Sequence, residues 1–197
     1  MFMKDFTRTT HTAVAADLLT QPVISGILAG TLVETTNGWC RVETLRMGDQ
    51  VQSFDGGLVK VLAVDRRTLR PELAQGLLTV PGGVLDNCAD LHLLPGQHLL
   101  IETMGCTGLP DAAYALIPAL ALQGRMGCTR RHALSQIEVV TPMFATEEIL
   151  WANSGLLIHC PGIADGAGQL PDSDFFPRLD LPAARDLLAH RERMLGS

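Results

Sequence analysis

Short strand-like runs separated by glycine-marked turns govern this chain from Val23 to about Val64. Gly30-Thr31-Leu32-Val33-Glu34-Thr35 is followed by Thr36-Asn37-Gly38, then Val42-Glu43-Thr44-Leu45 and Gly48-Asp49-Gln50-Val51. The stretch from Gln50 to Phe54 alternates polar and apolar, a period of two that suits a half-buried strand. Asn37 and Gly38 both tolerate positive φ, so they predict a tight hairpin between two strands. Gly48-Asp49 predicts a corner into a third strand, Gln50 to Phe54, and Asp55-Gly56-Gly57 another turn. The largely apolar run Leu58 to Val64 reads as one strand buried on both faces.

The pattern continues beyond these strands. Pro71 and Pro81-Gly82-Gly83 separate short apolar runs, giving strands joined by loops. Leu91-His92-Leu93-Leu94, Pro95-Gly96 and Gln97-His98-Leu99-Leu100-Ile101-Glu102 read as strand, sharp break and strand. Residues 112 to 122 suit a short helix, with Pro118 as a break. Ile137 to Thr141 and Glu148 to Asn153 are two further strands. The tail differs: residues 179 to 194 are rich in Leu, Ala, Arg and Glu, and Pro182 suits the first turn of a helix. Leu187, Leu188, His190 and Met194 share part of one face of that helix.

Composition excludes several functions. The chain has 197 residues, 47% hydrophobic and 18% charged, which is enough apolar material for a core without staples. Its net charge is −6 and no Lys/Arg-rich run occurs, so a nucleic-acid partner is not expected. No uninterrupted apolar run approaches the roughly 20 residues of a membrane-spanning helix. Residues 1 to 22 lack the pattern of a signal peptide, because Asp17 interrupts a short apolar run. The cysteines at 40, 88, 106, 128 and 160 show no Cys-x-x-Cys spacing. Reduced, mostly buried thiols are therefore expected, which favours a cytoplasmic location.

The block from Gly30 to Val51 resembles the start of the Hint (Hedgehog/intein) domain, a self-cleaving fold. The likeness extends to the bacterial Hint-type subfamily. The later block of that subfamily reads as a His, then Phe-Asp-x-His-Glu, then a hydrophobic pair and Ala-Asn-Gly. Here Phe144, Glu148, Ala152 and Asn153 match it, whereas Thr141, Ala145 and Glu147 stand where His, Asp and His are expected. Cys160-Pro161-Gly162 and the tail helix also look like the subfamily's ending. The resemblance implies an all-β, disc-like fold of curved strands with a C-terminal helix. It divides the chain into a lead-in over 1–22, a β domain over 23–164, and a loop and helix over 165–197.

The resemblance also says where chemistry would lie. In that family a cysteine stands five residues before the Thr of the Gly-Thr pair; here that position is Gly26. Ser25 is the nearest hydroxyl, one residue early. His98 stands where the resemblance places a histidine that assists breakdown of the scissile amide, and Pro95 replaces the hydroxyl residue three before it. Ser25, His98 and Thr141 are therefore the candidate catalytic residues. Self-cleavage needs a nucleophile, an acid for the departing nitrogen and an oxyanion stabiliser acting together. Losing the nucleophile removes most of such a site's rate. The expectation is a degenerate, non-cleaving Hint domain acting as a binding or structural module. The alternative is an autoprocessing domain using Ser25 or a displaced cysteine with His98.

No cofactor is implied. Cys88 with His92, and His159 with Cys160, each make half a metal site without a second pair. Asp165, Asp172 and Asp174 do not fit the spacing of a calcium-binding loop.

Overall fold

A computed structural model describes residues 25–71, 75–106, 108, 112–163, 173 and 175–195. The three aspartates considered for calcium lie outside them. The chain folds as an all-β protein with one helix among the described residues. In order the strands are β1 (Ile27–Leu28), β2 (Leu32–Thr35), β3 (Gly38–Arg41), β4 (Gln50–Ser53), β5 (Gly57–Lys60), β6 (Ala63–Leu69) and β7 (Gln75–Val80). They continue with β8 (Leu91–Leu93), β9 (His98–Glu102), β10 (Tyr114–Pro118), β11 (Thr129–His132), β12 (Ile137–Met143), β13 (Glu148–Ala152) and β14 (Leu156–Cys160). Helix α1 (Leu181–Leu195) closes the chain.

The strands form three sheets. The largest runs β10-β9-β14-β13-β2-β4-β5, with β3 added on β2. Two three-stranded sheets, β1-β12-β6 and β11-β7-β8, lie beside it. The hairpin expected from Asn37-Gly38 is present: β2 and β3 pair Thr35 with Gly38, and Gly38 takes φ +89°. The corner before β4 is also present, with Gly48 at φ +99°.

Successive residues of a strand face opposite sides of a sheet, and β9, β13 and β14 are apolar on both. Leu99, Leu150 and Ile158 join the main core. Their neighbours Leu100, Ile149 and Leu157 form a second cluster with Leu116 on the other face. Phe54, Tyr114, Trp151 and Phe176 pack on that second cluster, and the Phe54 and Tyr114 rings meet edge-on at 5.1 Å.

Two expectations are corrected. Leu58 to Val64 is not one buried strand. β5 ends at Lys60 with Leu58 half exposed, and β6 begins at Ala63. Between them the Val61 N–H donates to Asp49 O and the Leu62 N–H to Met143 O, so the backbone changes partners as it passes between sheets. Residues 112 to 122 are not a short helix either. Tyr114–Pro118 pairs residue for residue with β9, and only Ala119–Leu122 makes a 3-10 turn. Ala115, Leu116 and Ile117 are fully buried, so burial on both faces decides for strand over helix propensity.

Helix α1 starts as Pro182 suggested. The Asp180 carboxylate accepts from the Ala183 N–H at 2.9 Å, capping the first turn. Leu187 and Leu188 are fully buried in the main core, whereas Met194 is exposed.

Candidate functional site

Gly26 sits just before β1, which β12 holds in place through Ile27 opposite Val140 and Leu28 opposite Val139. Its φ of +128° lies in a region that L side chains rarely adopt. A Cβ placed there would lie 2.5 Å from Val139 Cγ1 and 2.9 Å from Thr141 Oγ1. Both the backbone and its neighbours are therefore fitted to a residue without a side chain.

The Gly26 N–H donates to Gln97 Oε1 at 2.9 Å. Gln97 is almost fully buried, and its Nε2 donates to His159 O at 2.8 Å and to His98 O at 3.0 Å. The acceptor and both donors of this amide are thus engaged, tying the entry to β1 to β9 and β14. Around it lies a cavity of about 10 Å³, lined by Ser25, Gln97, Thr141 and Cys160 among others. That is room for about one water molecule.

Ser25 and Thr141 line the same small cavity as Gly26. His98 lies elsewhere. It follows Gln97 in the chain, so its ring points to the opposite face of the large sheet, the side of Leu100. There its Nδ1 lies 3.2 Å from Gly96 O. Burial, then the positive charge of Arg178 and the nearby His159, push the His98 pKa from 6.5 down to about 4, and the Gly96 carbonyl offsets this only partly. The side chain that meets the Gly26 nitrogen is Gln97. Sequence reading missed it because nothing in its residue type marks it. Its alternation with the buried Leu99 and Ile101 was the available signal.

Cys160 is the thiol that shares the cavity with Gly26. Burial, then the charge of Glu148, push its pKa far up, so it stays protonated. His159 and Cys160 are consecutive in β14 and face opposite sides, so they cannot chelate one ion together. No group of three or more His, Cys, Asp and Glu side chains among the described residues could hold a metal.

A second polar cluster lies on the His98 face. His159 Nε2 is 2.7 Å from Glu147 Oε2, and the Ser173 hydroxyl and the Phe175 N–H donate to Glu147 Oε1. Burial alone would raise the Glu147 pKa, but the hydrogen bonds from His159 and Ser173, helped by the Phe175 N–H, outweigh it and bring it from 4.5 to about 2. Glu147 thereby fastens the segment leading to α1 onto the sheet.

A family model described as the Hint domain matches residues 26–157. No curated protein matches by sequence. Among solved structures, the bacterial intein-like domain from Clostridium thermocellum is 15% identical with a TM-score of 0.50, covering 69% of this chain and 99% of its own. The AceL NrdHF class 3 split intein, in a splice-inactive variant, is 12% identical with a TM-score of 0.43, covering 71% and 99%. The first of these likenesses speaks to the fold; the second is too loose to argue from. No helix among the described residues is long and apolar enough to cross a membrane.

Proposed function

The chain belongs to the Hint domain family, and from that membership we propose a module that keeps the fold but no longer cuts its own backbone. It serves in binding or as a structural unit. The observation that carries this reading is the environment of Gly26. Self-cleavage begins with a side chain at that residue attacking the preceding carbonyl. Gly26 has none, and Val139 and Thr141 fill the space one would need. The departing nitrogen would also need an acid. It faces the Gln97 amide oxygen, which only accepts hydrogen bonds.

The competing reading is autoprocessing by Ser25 or Cys160, both of which line the same cavity. A protonated, fully buried thiol is a poor nucleophile, and the imidazole of His98 faces away from it.

Intact mass of the full chain distinguishes the two. Incubated for days, with and without hydroxylamine or a small thiol, the mass should not change. A fragment beginning at residue 25 or 26, lost in Ser25→Ala or Cys160→Ala, would overturn the proposal.

A further inference from the structure

The described residues between Ser173 and Leu179 lie over the outer apolar cluster of the large sheet, and the two ends are held differently. At one end Glu147 accepts from the Ser173 hydroxyl and the Phe175 N–H, and Ser173 Oγ accepts from the Phe176 N–H. At the other the Leu116 N–H donates to Pro177 O and the Leu179 N–H to Leu116 O. Between them Phe176 packs on the cluster of Leu100, Leu116, Ile149 and Leu157. Leu179 is buried in the main core, whereas no described residue from Ser173 to Arg178 is buried. A segment with so little burial belongs to the low-stability end of a fold, and Leu179 is its pivot.

The charges beneath it are unbalanced. Arg178 belongs to the segment itself, and its Nη2 lies 3.5 Å from His159 Nε2 on β14. Its positive charge also acts on His98, as does His159. On β10 the residue opposite His98 is the uncharged Pro118. The carboxylate at this end is Glu147, already engaged by His159 Nε2 at 2.7 Å. Glu102, on the same face of β9, stands exposed at the far end of that strand. A proton on His98 therefore adds a further positive charge beside Arg178 and His159, with Glu147 already committed.

We propose that residues 173–178 form a proton-operated strap, which lifts about Leu179 in mild acid and bares the apolar cluster beneath it before the rest of the fold gives way. Buried or crowded imidazoles are the usual operators of such switches. With the strap down, burial, then Arg178 and then His159 hold the His98 pKa at about 4 instead of 6.5. Lifting removes the guanidinium and part of the burial, so the open form binds the proton more tightly. The closed form is favoured above pH 6.5 and loses that advantage as pH falls towards 4. Glu147 stays ionised down to about pH 2 and keeps its hold throughout this window, which leaves His98 as the operator. The device goes beyond the non-cleaving reading and works whether or not the backbone is cut.

Native-state amide exchange of the full chain, corrected for the intrinsic effect of pH on exchange, tests this. Protection at Leu116, Phe176 and Leu179 should fall about tenfold between pH 7 and pH 5, while amides of β13 and β14 hold theirs. His98→Gln should abolish the fall. If that variant folds poorly, an NMR titration of the His98 ring in the unaltered chain keeps the test open, with a midpoint expected well below 6.5. Strap protection that is the same at both pH values, a fall shared equally by β13 and β14, a fall retained in His98→Gln, or a midpoint at 6.5 would each overturn the proposal.

Discussion

At the scale of single residues, Gly26 and Gln97 act as a pair. Gly26→Ala places a methyl group into a left-handed backbone and against Val139, so it should lower stability by about 1–3 kcal/mol. Gln97→Ala leaves the buried Gly26 N–H without its acceptor and should cost about 1–3 kcal/mol. Gly26→Cys should behave as a destabilised variant that still does not cleave, since Gln97 cannot protonate the departing nitrogen. Thermal melts and intact mass check all three. The absence of a nucleophile could be read from one letter. That position 26 has closed around the absence could not, because Val139 and Thr141 approach it only through pairing across more than a hundred residues of chain. His98 shows the same limit: its residue type drew attention, but strand alternation by a single step decides which side chain meets Gly26.

Among the elements, those with strong local signals emerged as the sequence suggested. The β2–β3 hairpin, the break at Pro95-Gly96, the strands around Val139 and Leu150, and the tail helix all follow from turn residues and periodicity. β10 did not, since Ala115 and Leu116 favour a helix until β9 and the tail segment flank them as strand partners. β14 was not anticipated either: Leu156–Cys160 is a uniformly buried run with no alternation to announce it. α1 holds through its cap and its buried face. Asp180→Ala should cost about 0.5–2 kcal/mol and Leu187→Ala about 2–5 kcal/mol. Denaturant titration should rank them in that order; a larger loss for the cap would mean that the helix contributes little to the core.

For the whole molecule, two groups predict the response to acid. His98 is neutral in the folded chain down to about pH 4 but gains a proton near 6.5 when unfolded. Its contribution is present above 6.5 and is lost as pH falls towards 4. Glu147 stays ionised down to about pH 2 against an ordinary 4.5. Its contribution is present above 4.5 and is lost as pH falls through 2. In both cases the unfolded chain binds more protons, so stability falls on acidification. His98→Gln should flatten the curve between pH 6.5 and 4, and Glu147→Gln the part below 4.5. Melting temperatures measured across pH 2 to 7 check this; unchanged slopes would count against both assignments.

Residues 177–179 have a wider consequence. Leu116 donates to Pro177 O and Leu179 donates to Leu116 O, so this short stretch lies along the outer rim of β10 like a selvedge. Without that hem, the eight-stranded sheet would offer an unfinished border on which a second molecule could continue the weave.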